Sequence, residues 1–216
     1  MSVWSIVVAA GSGTRFGGTK QLEMLGGRRV LDWSVAAAEQ VSDGVVLVVA
    51  AEHQAEIEAS FGCSRSVPAV VPGGATRAAS VRCGLAAVPQ SAEIIVVHDA
   101  ARPLASPALF TAVIDAVRDG ADGAVPGVAL VDTIRRVGGG VVDRDELVAV
   151  QTPQAFRAAV LRAAHRDEQD ATDDASLVER AGGKVVVVPG DLVNRKITTP
   201  VDLVIAQALL DEGRPR

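Results

Sequence analysis

The chain has 216 residues, of which 49% are hydrophobic, 22% charged and 3% aromatic, and its formal net charge is -5. This composition excludes a disordered chain, and the length suits one domain, 1–216, able to bury roughly 70% of its unfolded surface. The acidic balance, the absence of Tyr and the supply of only four Phe and two Trp argue against an extended nucleic-acid surface or a base-stacking platform.

The longest apolar runs, such as 45–51, fall well short of the roughly 20 residues a membrane helix needs, so no membrane partner is expected. Met1-Ser2-Val3-Trp4 enters a strand-like run without a basic leader, which predicts a cytoplasmic location. Cys63 and Cys83 show no C-x-x-C spacing and read as packing residues.

Taken in chain order, apolar blocks of strand length at 5–9, 45–50, 66–71, 93–97, 123–128 and 184–188 alternate with helical periods at 30–40, 54–60, 77–87, 107–118, 157–167, 174–181 and 200–211. That alternation predicts an α/β fold with a mainly parallel central sheet and helices on both faces. Strands apolar on consecutive positions suit burial from both sides. Ser106-Pro107 and Thr199-Pro200 each place a hydroxyl cap ahead of a proline at the first helical position. Residues 132–150 break the pattern and read as a β-arm of short strands around Gly138-Gly139-Gly140. A lone hairpin is marginal in water, so this arm needs a surface to dock on, such as a second subunit.

The loop at 9–20, Ala9-Ala10-Gly11-Ser12-Gly13-Thr14-Arg15-Phe16-Gly17-Gly18-Thr19-Lys20, follows the first strand, where an open parallel sheet forms its ligand crevice. Its glycines let backbone N–H groups approach phosphate oxygens, and Arg15 and Lys20 add charge at the same place. As a dinucleotide fingerprint the loop fails, because a third glycine would be needed at Phe16. As a Walker loop it fails too, since Thr19, Lys20 and Gln21 follow Gly18.

Ala-Ala-Gly-Ser-Gly-Thr-Arg followed by Lys20-Gln21 resembles the nucleotidyltransferases that join a sugar or polyol phosphate to a nucleoside triphosphate, and among these the methylerythritol phosphate cytidylyltransferase family. Further blocks agree in order: Gly73-Gly74 with Arg77 and Ser80, His98-Asp99-Ala100-Ala101-Arg102-Pro103, Asp132-Thr133, Gln151-Thr152-Pro153-Gln154, Thr172-Asp173-Asp174-Ala175-Ser176, and Asn194-Arg195-Lys196. The resemblance spans essentially the whole chain and implies a Rossmann-like three-layer nucleotidyltransferase fold.

The same resemblance implies that CTP and a polyol phosphate are the substrates. Arg15 and Lys20 would hold the triphosphate and stabilise charge at the α-phosphate, with Mg²⁺ or another divalent cation assisting. Ala9, Ala10, Gly11, Gly13, Gly74, Ser80 and Ala100 would surround the CTP. Asp99 would orient the metal or a substrate hydroxyl, and Arg102, Thr133, Arg144, Thr172 and Lys196 would serve the second substrate, Lys196 also taking part in catalysis. Thr133 and Arg144 would come from the arm of a neighbouring subunit, completing each site across a homodimer.

Several positions have a plainer expectation beside these. His98 is expected to be structural, since the chemistry asks for no imidazole, and His53 and His165 join none of the blocks. Asp173 and Asp174 read as acids at a helix start. Ser80 could equally bond its own backbone. The chain departs from the family pattern at Val8 and Thr19, where prolines are frequent, and at Ala75 and Val193, where acids occur. Asp191 is the candidate to replace the acid missing at Val193.

Three other readings share the loop: a ribitol 5-phosphate cytidylyltransferase, a CTP-binding regulatory module without turnover, and, more distantly, an NAD-dependent dehydrogenase.

Overall fold

The computed structural model describes residues 1–61, 69–167 and 170–213. The chain opens with β1 (Val3–Ala9), the glycine loop, a small hairpin of β2 (Met24–Leu25) and β3 (Arg28–Arg29), and α1 (Val30–Glu39). There follow β4 (Gly44–Val49), α2 (Gln54–Phe61), β5 (Ala69–Pro72), α3 (Arg77–Ala87), β6 (Ile94–Asp99), α4 (Pro107–Arg118) and β7 (Gly123–Ala129). The arm carries β8 (Ile134–Arg135) and β9 (Val141–Val142), and the chain returns through β10 (Val148–Val150) and β11 (Gln154–Arg157) to α5 (Ala158–Ala164), α6 (Asp174–Arg180), β12 (Val185–Pro189) and α7 (Pro200–Asp211).

Eight strands form one sheet in the order β10-β7-β11-β6-β1-β4-β5, with β12 also paired to β7. The pairs β1 with β4, β1 with β6, β4 with β5 and β7 with β12 are parallel, while β10 and β11 run antiparallel to β7. The mainly parallel sheet predicted from the alternation is therefore present, with an antiparallel insertion at β11.

Side-chain alternation explains why these strands carry unbroken apolar runs. Val45, Leu47 and Val49 of β4 join Leu31 and Val35 of α1, Ile57 of α2 and Phe110 of α4 on one face. Val46 and Val48 join Val81 and Leu85 of α3, Leu161 of α5 and Val178 of α6 on the other. Burying such side chains contributes about 1.5–3 kcal/mol each, so both faces stabilise the sheet. A third cluster fastens α7 to the loop region: Leu25, Val30, Trp33, Ile197 and Ala206 are buried together, with Phe16 and Leu210 packed against them.

Helix starts follow their capping chemistry. Ser106 Oγ accepts from Leu109 N–H at the start of α4, and Asp202 accepts the Thr199 N–H at 2.8 Å at the start of α7. Arg162 closes the other end of α3, donating to the carbonyls of Leu85, Val88 and Pro89.

β11 has no counterpart among the strands expected from the sequence: helix is expected from 157, whereas a four-residue strand ends at Arg157 and α5 begins at Ala158. Four residues are too few to reveal a period of two, and the strand is fixed by its neighbours β6 and β7 instead. Val150 pairs with Gly127 and Ala155 with Ala124, so five steps on one strand oppose three on the other. The extra residues form a bulge at 151–153 that contains the cis Thr152-Pro153 bond and turns Gln151 and Thr152 inward, where both are buried.

Of the predicted strand at 66–71, β5 begins at Ala69, and 66–68 lie outside the described residues, as does Cys63. Cys83 is half-buried in α3. Among the described residues, no helix is long and apolar enough to cross a membrane.

Candidate active site

β1 and β6 end side by side at the carboxyl edge of the sheet, and the loops that leave this edge shape a cleft with an empty volume of about 840 Å³. Gly13 makes the loop after β1 possible. Its φ of +62° is in the left-handed region, and a Cβ there would sit 1.9 Å from the Gly18 carbonyl oxygen. Gly13 O accepts from the N–H groups of Phe16 and Gly17, and Phe16 anchors the loop in the third apolar cluster. Lys20 then opens a short 3₁₀ turn, Lys20–Leu22, with its side chain buried. Across the cleft, a Cβ on Gly73 would come within 2.3 Å of the Ala10 Cβ, and one on Gly74 within 2.5 Å of the Ala79 Cβ. The glycine pair thus lets the start of α3 close on the first loop.

Charge is concentrated on the cleft floor. Asp99, the last residue of β6, receives Lys196 Nζ on Oδ2 at 2.6 Å and Arg77 Nε on Oδ1 at 3.1 Å. Burial opposes its ionisation, but Arg77 and Lys196 hold its carboxyl well below the usual carboxylate range. Arg77 also donates from Nη1 to Asp174 Oδ2 at 2.8 Å, and these two carboxylates raise its pKa against the burial penalty. Lys20 has the opposite balance. Burial lowers its pKa first, and repulsion from Lys196 and Arg15 lowers it further. Three cations that converge while repelling one another make a place for a polyanion.

Behind Asp99 a neutral network fixes the strand end. Thr152 Oγ1 accepts the Asp99 N–H at 3.0 Å and lies 3.1 Å from His98 Nδ1. With its oxygen accepting from the amide, the threonine hydroxyl donates to His98 Nδ1, and His98 Nε2–H then donates to the Arg102 carbonyl at 3.2 Å. Burial pushes the His98 pKa down to about 4, in keeping with this neutral tautomer. His98 is therefore structural, as expected from the sequence. Arg102 Nη1 donates to the Asn194 carbonyl at 2.8 Å, tying the turn after β6 to the segment that carries Lys196.

Of the residues singled out in the sequence, Ala10, Gly11, Lys20, Gly74, Ser80, Asp99 and Lys196 line this one cleft, together with Arg77, Gln21 and Ala101. Arg15 is exposed on the loop, near enough to depress Lys20. Ala9 and Ala100 are buried behind the wall, where Ala100 N–H donates to the Val8 carbonyl and its own carbonyl accepts from Ser34. Ala101 takes the wall position instead of Ala100. Ser80 Oγ accepts from Gly74 N–H and donates to the Thr76 carbonyl, so it first holds the glycine turn in shape.

Thr172 is exposed beside α6, and Thr133 and Arg144 are exposed on the arm, where Arg144 donates to the Val131 carbonyl. Asp191 does not replace an acid in the cleft. Its carboxylate accepts from Val193 N–H within its own turn. Asp173 caps α6 through Ser176 N–H, as a helix-start acid should. Asp174 differs from that expectation: it is wholly buried, ion-paired to Arg77 and hydrogen-bonded to His165. No local pattern distinguishes it from its neighbour, since its partners lie 97 and 9 residues away.

Comparison with known proteins agrees with this geometry. Residues 3–212 match the family model described as 2-C-methyl-D-erythritol 4-phosphate cytidylyltransferase. The chain is 43% identical over 237 residues to a bifunctional IspD/IspF enzyme of Nitratidesulfovibrio vulgaris, an alignment that covers 100% of this chain and 59% of that protein. It thus spans little more than half the length of such bifunctional relatives. It is also 42% identical over 230 residues to the 2-C-methyl-D-erythritol 4-phosphate cytidylyltransferase of Streptomyces coelicolor, covering 97% of this chain and 85% of that one. The crystal structure of the enzyme so named from Thermus thermophilus superposes with a TM-score of 0.80 at 36% identity, covering 98% of this chain and 100% of that chain. Fold, cleft and sequence together place the chain in the 2-C-methyl-D-erythritol 4-phosphate cytidylyltransferase family.

Proposed function

We propose that the protein transfers the cytidylyl group of CTP to 2-C-methyl-D-erythritol 4-phosphate and releases pyrophosphate. The observation that carries this reading is that Lys20, Lys196 and Arg77 line one cleft together with Gly74 and Ser80. A phosphate oxygen of the alcohol attacks the α-phosphorus of CTP, and the bond to the β-phosphate oxygen breaks as its electron pair leaves with pyrophosphate. With a second pKa of about 6, the attacking phosphate is already ionised near neutral pH and needs no general base. What remains is alignment and charge neutralisation.

Lys20 and Arg15 hold the triphosphate and stabilise the charge that builds at the α-phosphate. The backbone around Ala10 and Gly74, with the remaining lone pair of Ser80, reads the cytosine edge. Lys196, Arg102 and Thr172 serve the phosphate of the alcohol, and Thr133 and Arg144 reach it from the arm of a second copy in a homodimer. Exposed valines support that arrangement: Val131, Val137 and Val141 on the arm, and Val148, Val150 and Val187 on the adjoining strands.

A divalent cation fits only in company with the nucleotide. Among the described residues no group of three or more His, Cys, Asp or Glu could hold a metal, and Asp99 is the one acid lining the cleft. Mg²⁺ commonly binds through one or two carboxylates plus substrate phosphates, so Asp99 and the triphosphate make a suitable donor set. When bound there it would neutralise charge at the transferred phosphate.

The test is pyrophosphate release from CTP by the purified protein with each alcohol in turn. Release is expected only with 2-C-methyl-D-erythritol 4-phosphate. Equal or faster turnover of ribitol 5-phosphate would overturn the choice of alcohol, and tight CTP binding without turnover of either would make the protein a regulatory module.

A further inference from the structure

One buried titratable pair takes no part in the chemistry above. His165, at the C-terminal end of α5, and Asp174, at the first position of α6, have side chains only 2% and 1% exposed, and His165 Nε2 lies 3.0 Å from Asp174 Oδ1. The contact does not end at Asp174. Oδ2 of the same carboxylate accepts from Arg77 Nη1, Arg77 Nε donates to Asp99 Oδ1, and Asp99 Oδ2 accepts from Lys196 Nζ. Each carboxylate therefore joins two partners, one through each oxygen.

Asp174 is held in its ionised form, against burial, by His165 and Arg77. An ionised carboxylate only accepts, so His165 Nε2 carries the proton in either charge state of the ring. Among the described residues His165 Nδ1 has no hydrogen-bond partner, so Asp174 is the anchor of the imidazole, while Arg77 is held between Asp174 and Asp99. If His165 lets go of Oδ1, Asp174 is held by Arg77 alone, and the support behind the guanidinium beside Asp99 loosens.

We infer that His165 is a positioning residue, which acts through Asp174 and Arg77 to set Asp99 and Lys196 in the cleft. The inference rests on the reading of Asp99 and Lys196 as site residues. A misplacement of about 1 Å at a reacting centre costs up to roughly 10²-fold in rate, so a partial loosening should cost about tenfold.

The experiment uses the whole purified chain and kcat per CTP-binding site, counted by calorimetry. His165→Leu removes the donor and is expected to lower kcat about tenfold. His165→Gln, whose amide nitrogen occupies the place of Nε2, should recover most of it, whereas His165→Asn, with its amide at the place of Nδ1, should not. If His165→Leu fails to fold, the comparison of Gln with Asn carries the same expectation. Adding Asp174→Asn to His165→Asn should cost less than the sum of the two single losses, because both act on one path.

Wild-type kcat in folded His165→Leu or His165→Asn would overturn the inference. So would equal kcat in the Gln and Asn variants with only their melting temperatures lowered. Asp99→Asn and Lys196→Ala are measured alongside. Full activity in those two would sink the reading of the cleft, whereas their inactivity beside an unaffected His165→Asn would sink only the positioning role.

Discussion

Lys196 Nζ meets Asp99 Oδ2 at 2.6 Å across 97 residues of chain, and this contact joins the last segment before α7 to the carboxyl end of β6. Asp99 is shared with Arg77, so one carboxylate answers two cations while Lys20 stands buried close by with its charge opposed by Lys196 and Arg15. The cleft is therefore short of negative charge, which the phosphates of the proposed substrate would supply.

Replacing Lys20 separates that electrostatic role from folding. Lys20→Met should lower the rate by on the order of 10²-fold or more, since a preorganised charge at the reacting phosphate is lost. The unliganded variant should melt no lower than wild type, because a buried cation repelled by its neighbours has been removed. Its lowered pKa means the penalty is present at neutral pH and relieved only as pH rises toward the ordinary lysine value. Pyrophosphate should raise the melting temperature of wild type more than that of the variant. An equal rise in both would show that Lys20 does not meet the phosphates.

Acidification tests the network behind Asp99. The folded pKa of His98 is about 4 against 6.5 for the free side chain, so the unfolded chain binds more protons between those values. Stability from this group is full above pH 6.5, is lost as pH falls toward 4, and changes little below that; the whole effect is at most about 3 kcal/mol. Denaturant titrations at pH 7, 5.5 and 4.5 should show the loss in wild type and a flatter dependence in His98→Gln. Identical slopes would mean that His98 is not the titrating group.

The parts legible in the sequence were those with local causes. Consecutive apolar runs gave the sheet its buried strands, Ser106-Pro107 marked the start of α4, and the glycine spacing marked the loop that carries Lys20. The parts that stayed hidden depend on contacts distant in sequence. β11 is a strand because β6 and β7 accept it on both sides, and Asp174 belongs to the site because Arg77 bridges it to Asp99. Ala100 was expected at the nucleotide but lies behind the wall, since a block read as a motif does not say which of two neighbouring alanines faces the cleft.

Two glycines of the loop should respond differently to one methyl group. Gly13→Ala drives a Cβ into the Gly18 carbonyl at a positive φ, so the loop must open and activity should fall on the order of 10²-fold. Gly11→Ala meets only Gln21 Nε2 at 3.5 Å, an ordinary contact, and should keep its fold. If its CTP affinity falls while the melting temperature holds, the space at Gly11 belongs to the nucleotide. Near-normal activity in Gly13→Ala would refute the loop geometry.

The arm offers the test of assembly. Arg144 is exposed and far in sequence from the residues that line the cleft, and Val131, Val137 and Val141 of the arm are exposed with it. If a second copy brings this arm to the site, Arg144→Ala should raise KM for the polyol phosphate about tenfold or more and leave CTP binding within about twofold, because the lost contact is to one substrate only. Val187→Asp, at the sheet edge beside β7, should shift the protein toward monomer in sedimentation, since it places a charge in an apolar contact. The two effects should be linked: monomeric Val187→Asp should show the same selective rise in KM as Arg144→Ala. A fully active monomer, or an Arg144→Ala enzyme that loses CTP and polyol phosphate equally, would place the arm outside the active site.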